Sequence, residues 1–536
     1  MMNTLWQYNI LKELNMHRMS LRLLITTGIL LNGFIESYAQ TGQKVVMLSL
    51  DDCIARTLKY NLNVAIEVLG TQVSEVSIAQ AEEKYLPQLV LSVNNRNTSS
   101  ASYSWLDAAD QVQTEYQFYT AQLTQLVPTG ASLVISLEND KNNTNRRFQT
   151  INPRYGSTMR FNFSQPLLRN FGFKISNREI IIAQNDYEIS ENRFKSMLIE
   201  TIYTAEEAYW NFVYSIENLK AREQSLSLAR DLLEKNKRSV TIGRLASIDI
   251  QSAEAEVATR EADILEAEAM VKNSEDNLKT LINLAAEIPG NEVSLLPVDK
   301  PVIEEHAISL EQAIERAYQH RPDLQEARIE LKNSDLDLRY AKNQMLPDLN
   351  LEASLWSPGI SGTQILYQND DPTTGNIIGT VPAGPADALD DAFHFKYQNW
   401  SVGLSLNVPL NTIFARNQVD QAHFMSEQAR LRKQQLEQQI LLEIKIANRA
   451  VETNLKRVNA YRIARELTEK KLETEAEKLR LGISTNYDVF LFQRDLSDAK
   501  SSELQALIDY NLSLANRARV LGTSLEEKRI KISDVR

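Results

Sequence analysis

Apolar positions recur along this chain at two periods, which alternate in blocks. Between Gly172 and Gly243, and again between Pro409 and Gly482, about 70 residues pass without Pro or Gly. Glu, Lys, Arg, Gln, Ala and Leu dominate there, residues that lose little rotamer freedom in a helix. At roughly 1.5 Å per residue, each block predicts a single rod about 100 Å long. The apolar face of these rods is narrow. Ile440, Ile444, Ala447, Val451, Leu455 and Val458 step by 4, 3, 4, 4 and 3, while Val257, Ile264, Val271 and Leu278 step by 7. These are coiled-coil seams. After Gly243 and Gly482 the helical pattern resumes over 244–288 and 483–521, so the chain carries two very long αα-hairpins. A helix of this length cannot bury itself in one globule and must line something extended.

Ahead of each long helix the period changes to two. Leu89, Leu91 and Val93 alternate with polar residues, as do Met159, Phe161 and Phe163, and later Leu349, Leu351, Ala353 and Leu355. The clearest run is Trp400, Val402, Leu404, Leu406 and Val408. Strands of about 10 residues with this alternation fit an outer-membrane barrel wall, apolar towards lipid and polar towards a lumen. Patterning alone fits a half-buried soluble sheet equally well. An extra hairpin is predicted from Tyr116–Val127 and Ala131–Leu137 around Pro128-Thr129-Gly130, a tight turn of the kind a periplasmic rim shows. Ser357–Asn399, with Pro358-Gly359, Pro372, Pro382 and Gly384-Pro385, reads as a long extracellular loop.

The blocks repeat. Leu50 to Leu310 and Pro87 to Pro347 both span 260 residues, and Pro166-Leu167 matches Pro409-Leu410. This predicts a first repeat over 48–290, with short helices, strands within 88–165 and a hairpin over 173–288. A linker follows over 291–308. The second repeat covers 309–525, with short helices, strands within 349–408 around the loop 357–399, and a hairpin over 410–521; a tail of 526–536 remains.

Composition narrows the classes. Gly and Pro are scarce (17 and 14 of 536 residues), which favours helix. A net charge of −12 argues against a nucleic-acid partner. Arg18 and Arg22 precede the apolar run Leu23–Phe34, and Ser37-Tyr38-Ala39 suits cleavage, so 1–39 reads as an export signal whose true start is Met16 or Met19. That signal favours the membrane reading of the strands. No apolar run is long enough for a transmembrane helix. Cys53, the only cysteine, follows two aspartates on a helical pattern and reads as a small core residue, not a lipid anchor or half of a disulfide. The five histidines (His17, His306, His320, His394, His423) lack metal-ligand spacing, and no nucleophile or phosphate-loop motif occurs. An enzyme, a metal site and a cofactor are not expected.

Two copies of short helix, Leu-Pro, strands, Pro-Leu and long hairpin resemble the TolC family of outer-membrane efflux proteins over roughly residues 48–525. The resemblance implies a mainly α fold with a membrane β-barrel: a homotrimer closing one β-barrel in the Gram-negative outer membrane, above a periplasmic α-helical barrel. It implies contact with a periplasmic adaptor (membrane fusion) protein and, through it, an inner-membrane RND or ABC transporter. The exported substrate would be a drug or another small molecule.

The tips carry the candidate site. Gly243, Leu245 and Ala246, with Gly482, Ile483, Ser484 and Thr485, are the expected adaptor contacts. Glycine supplies each turn, Ser247 and Asn486 are expected helix caps, and Asp249 and Asp488 suit the positive N-termini that follow. The resemblance adds that Asp488 faces a lumen constriction with Asp249, while Arg244 and Arg480 are candidate salt-bridge partners there. The family's second carboxylate position is Leu491 here, and its latching tyrosine and arginine positions are Leu479 and Ser484. Two other readings stay open, a channel for protein secretion beside an ABC exporter and a non-conducting coiled-coil scaffold. A scaffold would have no need of strand sets before each long helix.

Overall fold

The computed structural model describes residues 44–104, 107, 109–243, 245–284, 293–303 and 308–535. The expected export signal and Arg244 lie outside the described residues. Two units divide the chain. Of the described residues, the smaller contains 44–46 and 293–294, and the larger contains the rest. Strands β1 (Lys44–Leu48) and β6 (Val293–Pro297) form a two-stranded sheet, so the stretch expected to be a plain linker, 291–308, includes a strand.

The larger unit repeats one pattern. Helices α1 (Leu50–Tyr60) and α2 (Leu62–Glu82) precede the first strands, and α5 (Leu310–His320) and α6 (Pro322–Gln344) precede the second set. The repeat extends to the caps. Ser49 Oγ accepts from the Asp52 amide at the start of α1, and Ser309 Oγ accepts from the Gln312 amide at the start of α5. Each supplies a partner to an amide that a helix start leaves unpaired.

Six long strands form one antiparallel sheet, in the order β2 (Gln88–Ala101), β3 (Gln111–Leu126), β4 (Ser132–Thr144), β5 (Ile151–Pro166), β7 (Asp348–Tyr367), β9 (Asn399–Asn407). A short strand, β8 (Ile377–Val381), pairs with the far end of β7. The expected hairpin is therefore longer than 116–137 and is part of this sheet. Its turn carries Gly130 at φ 95°, with the Cβ position blocked by the Asn170 carbonyl. Register aligns the apolar residues on one face, as in the row Leu89–Leu123–Ile135–Phe161–Leu355–Trp400. The opposite face is polar, with Ser92–Thr120–Glu138–Thr158 as one row.

The loop expected over 357–399 needs correction. Strand β7 continues to Tyr367, and helix α7 (Pro385–Phe393) follows β8. Pro358-Gly359 looked like a turn but lies inside the strand. β9 pairs with β7 only as far as Trp356, and β8 only from Gln364 onwards. Pro358 thus stands where one side of β7 has no strand neighbour, which is where a strand tolerates the missing N–H. Helix α7 packs over Ser357, Gly359 and Ser361. Ser357 Oγ donates to the Asp391 carbonyl and Ser361 Oγ to the Gly384 carbonyl, and Ala388 and Ala392 on the helix are fully buried.

At the other end of the sheet the chain enters and leaves the helices. The long helices are α3 (Arg178–Thr241) and α8 (Ile413–Arg480), returning as α4 (Ser247–Leu281) and α9 (Asn486–Leu521). Polar bonds fix α6 between the long pair. Arg178 and Arg193 of α3 pair with Asp337 and Glu326, and Ser426 of α8 donates to Asp335. The seam anticipated on α8 is buried at Ile440, Ile444, Ala447, Val451 and Val458, packed against α5 and α9. The tail is not plain either. Ser524–Glu527 forms one helical turn, and Lys528 pairs with the buried Glu206.

Cys53 is fully buried in α1. Burial pushes its thiol up to about 12, against a hydrogen bond with Thr57 that lowers it, with Glu206 adding to the rise. The thiolate is the reactive form. Maleimide at pH 8 is therefore expected to leave Cys53 unmodified in folded, detergent-extracted protein and to label it fully in denaturant. Labelling of the folded protein at the denatured rate would contradict this packing.

Candidate functional site

Each hairpin turns on a glycine in the left-handed region, Gly243 at φ 75° and Gly482 at φ 79°. A Cβ would meet nothing at either position, so the requirement is conformational and not spatial. The returning helices start one residue earlier than expected. Thr485, not Asn486, caps α9: its Oγ1 accepts from the Asp488 amide at 3.2 Å, while Asp488 Oδ2 accepts from the Thr485 amide at 3.3 Å and from its hydroxyl. In the first tip Ala246 stands in place of Ser247 and has no side-chain acceptor to offer. Only the reciprocal bond exists there, from the Ala246 amide to Asp249 Oδ2 at 3.2 Å. Both aspartates are half-buried and each holds its own turn.

Arg480 pairs with Glu477 on its own helix and is largely exposed. Among the described residues no ion pair joins it to Asp249 or Asp488. Ser484, at the family's latch position, donates to Glu475 Oε1 at 2.6 Å. That bond and Lys478 hold the Glu475 carboxyl below its ordinary range. Leu479, at the other latch position, packs against an apolar cluster that joins the hairpins: Leu226 and Leu233 of α3, Ala253 and Val257 of α4, Val489 and Phe490 of α9.

Two features of this region were not legible beforehand. First, the tips expose matched apolar side chains. Ile242 and Leu481 precede the glycines, and Ile248 and Tyr487 stand five residues after them, all more than 60% exposed. Second, Arg260 of α4 is 4% exposed and bridges three helices. Its guanidinium donates to the Ser225 carbonyl of α3 (2.7 Å) and to Gln493 Oε1 (3.1 Å) and the Phe490 carbonyl (3.1 Å) of α9. It also pairs with Glu256 one turn away. Burial lowers its pKa, with Glu256 opposing. In a charge-rich helix nothing in the residue string separates this arginine from its solvated neighbours. One signal was available, because Val257 and Ile264 flank it on the seam.

No helix among the described residues is long and apolar enough to cross a membrane, and none of their His, Cys, Asp and Glu residues cluster as a metal site. A sheet with one apolar face, continued at one end by paired long hairpins, defines an outer-membrane channel. Residues 313–523 match the family model described as Outer membrane efflux protein. The outer membrane protein TolC of Vibrio cholerae is 24% identical over 374 residues, 68% of this chain and 76% of that protein. Among solved structures, the Campylobacter jejuni CmeC outer membrane channel superposes with a TM-score of 0.60 at 15% identity, covering 90% of both chains. The open-state MtrE outer membrane channel of Neisseria gonorrhoeae gives 0.60 at 18% identity, covering 89% of each. The chain is thus similar over most of its length to the TolC-like outer membrane efflux proteins, a likeness that supports an efflux channel of the Gram-negative outer membrane. That family is one of channels, not of enzymes.

Removing Arg260 takes away the donor to the buried Gln493 Oε1 and a second donor to the helical carbonyls of Ser225 and Phe490, a loss of roughly 1–3 kcal/mol for the group left unsatisfied. Arg260→Met is expected to speed tryptic cleavage in the hairpins near the tips by at least tenfold. Arg480→Ala, which breaks an exposed pair, should leave the rate within twofold of wild type. Equal rates for both variants would show that Arg260 does not hold the tips.

Proposed function

We propose that this chain works as a homotrimer, the outer-membrane exit of a tripartite pump that carries small molecules from a periplasmic adaptor across the outer membrane. The observation that carries this reading is the direct continuation of an apolar-faced sheet into paired hairpins. The four passages that join the sheet to α2, α3, α6 and α8, at Gln88, Pro166, Asp348 and Asn407, lie at one end of the sheet. Lipid-spanning wall and helical conduit are then one continuous object.

The tips are the adaptor contact in this reading. Gly243, Leu245 and Ala246 act with Gly482, Ile483, Ser484 and Thr485. The exposed Ile242, Ile248, Leu481 and Tyr487 add an apolar surface to the same tips, large enough to anchor a hairpin of a partner protein. The adaptor links the channel to an inner-membrane transporter of the RND or ABC type. Asp488, repeated by threefold symmetry, would ring the constriction and favour cations, with Asp249 of the first tip beside it. Of the two arginines considered as gate partners, Arg480 has Glu477 as its partner within the chain. Arg260 is a better-placed hold on the closed tip, because it ties the first hairpin to the second.

Reconstitution in a planar lipid bilayer tests the reading. Discrete conductance steps are expected, with a reversal potential in a salt gradient that favours cations. Asp488→Asn should move that potential towards zero. Absence of any conductance would overturn the channel reading, and an unchanged reversal potential would remove Asp488 from the selectivity ring.

A further inference from the structure

We propose that three copies close an eighteen-stranded barrel, six strands from each, by pairing the free edge of β2 in one copy with the free edge of β9 in the next. The inference rests on the trimer proposed above and goes beyond it by fixing the width of the pore.

Four observations carry it. First, β3 and β4 lie in the sheet between β2 and β5, with unbroken register to both neighbours. Their apolar residues, Leu123, Ile135 and Leu137, continue the rows of β2 and β5 on the same face and at the same level. A hairpin lying outside the wall would have no use for that band. Second, among the described residues β2 pairs only with β3 and β9 only with β7. Both end strands are exposed at their apolar positions, with Leu91 and Val93 at 70% and 75% and Val402 and Leu404 at 64% and 66%. In hydrocarbon such edges leave amides and carbonyls with no partner. Third, β2 runs away from the helical end and β9 runs back towards it, so the two edges meet antiparallel and the alternation continues round the ring. Fourth, the helices that continue these two strands are unpartnered on the same seam. On α2, Leu62, Ile66, Leu69, Val73 and Val76 form an exposed stripe with steps of 4, 3, 4 and 3. On α8, Phe424, Leu431, Leu442 and Ile446 form another with steps of 7, 11 and 4. Each stripe suits the other as a coiled-coil partner, and a second copy of this chain supplies it.

One chain cannot close alone, because eight strands already leave room only for side chains. Eighteen strands, spaced about 4.8 Å and tilted about 40°, give a wall roughly 36 Å across the backbone, in the class that holds an aqueous channel.

Cysteine pairs on the polar face test this, and the buried Cys53 leaves them a quiet background. Ser92→Cys or Asn94→Cys on β2 is combined with Ser401→Cys or Ser405→Cys on β9, and the protein is oxidised in the membrane. At least one combination is expected to give reductant-sensitive dimers and trimers of the chain, which single variants do not give. In parallel, Ser92→Cys is combined with Thr158→Cys on β5, with two strands between them in the proposed wall. No intrachain disulfide is expected there, since the strands are about 14 Å apart. A disulfide between β2 and β5 would mean that β3 and β4 lie outside the wall; the trimer reading would then stand and the eighteen-stranded barrel would fall. If no β2–β9 combination links the chains and the protein elutes as a monomer, the trimer reading itself fails.

Discussion

Backbone amides and carbonyls inside a bilayer have no water to turn to, and among the described residues this chain's sheet ends on two bare edges. The remaining architecture follows from that constraint. No described helix is long and apolar enough to cross a membrane, and in the proposed channel the apolar-faced sheet supplies the wall. A sheet of six long strands is too small to close as a pore, and in the proposed trimer closure comes from other copies. The strands pass directly into helices at one end, so a ring of strands imposes a ring of helices beneath it. The narrow seams on α4 and α8 and the bare stripes on α2 and α8 are what such a ring needs, since each helix is buried by neighbours on its two flanks and left polar elsewhere.

Within one chain the two repeats are not independent. The tip cluster of Leu226, Val257, Val489 and Phe490 spans both hairpins, and Arg260 pins the backbone of α9 to that of α3. Higher up, Ser501 donates to Asn218 and Arg519 pairs with Glu200, again joining α9 to α3. The second hairpin can move only by breaking these contacts, and the buried arginine has the most partners among them. Exposed pairs such as Arg480–Glu477 stabilise little and lie off this path.

Much of this was legible in the residue string because the signals are long. Seventy residues without Gly or Pro can only be helix, and Trp400 to Val408 alternate too cleanly for anything but strand. The duplication and the glycine at each tip were legible as well. What failed was local. Pro358-Gly359 mimicked a turn because sequence does not say that β7 lacks a strand neighbour at that point. Ser247 and Asn486 were one residue late as caps, since the αL glycine sets where the next helix starts and Ala246 hides the cap. The role of Arg260 depends on which helices meet at the seam, and single-residue chemistry cannot report that. The register that lines up Leu89 with Trp400 across six strands is likewise a property of pairing, not of composition.

Imaging of the protein in a lipid nanodisc tests the central claim most directly. The account predicts a threefold particle whose membrane wall has eighteen strands, continuous with a tunnel of twelve hairpin helices, four from each of three chains. A particle without threefold symmetry, or a wall in which β2 pairs with β5 and the β3–β4 hairpin stands apart, would contradict it.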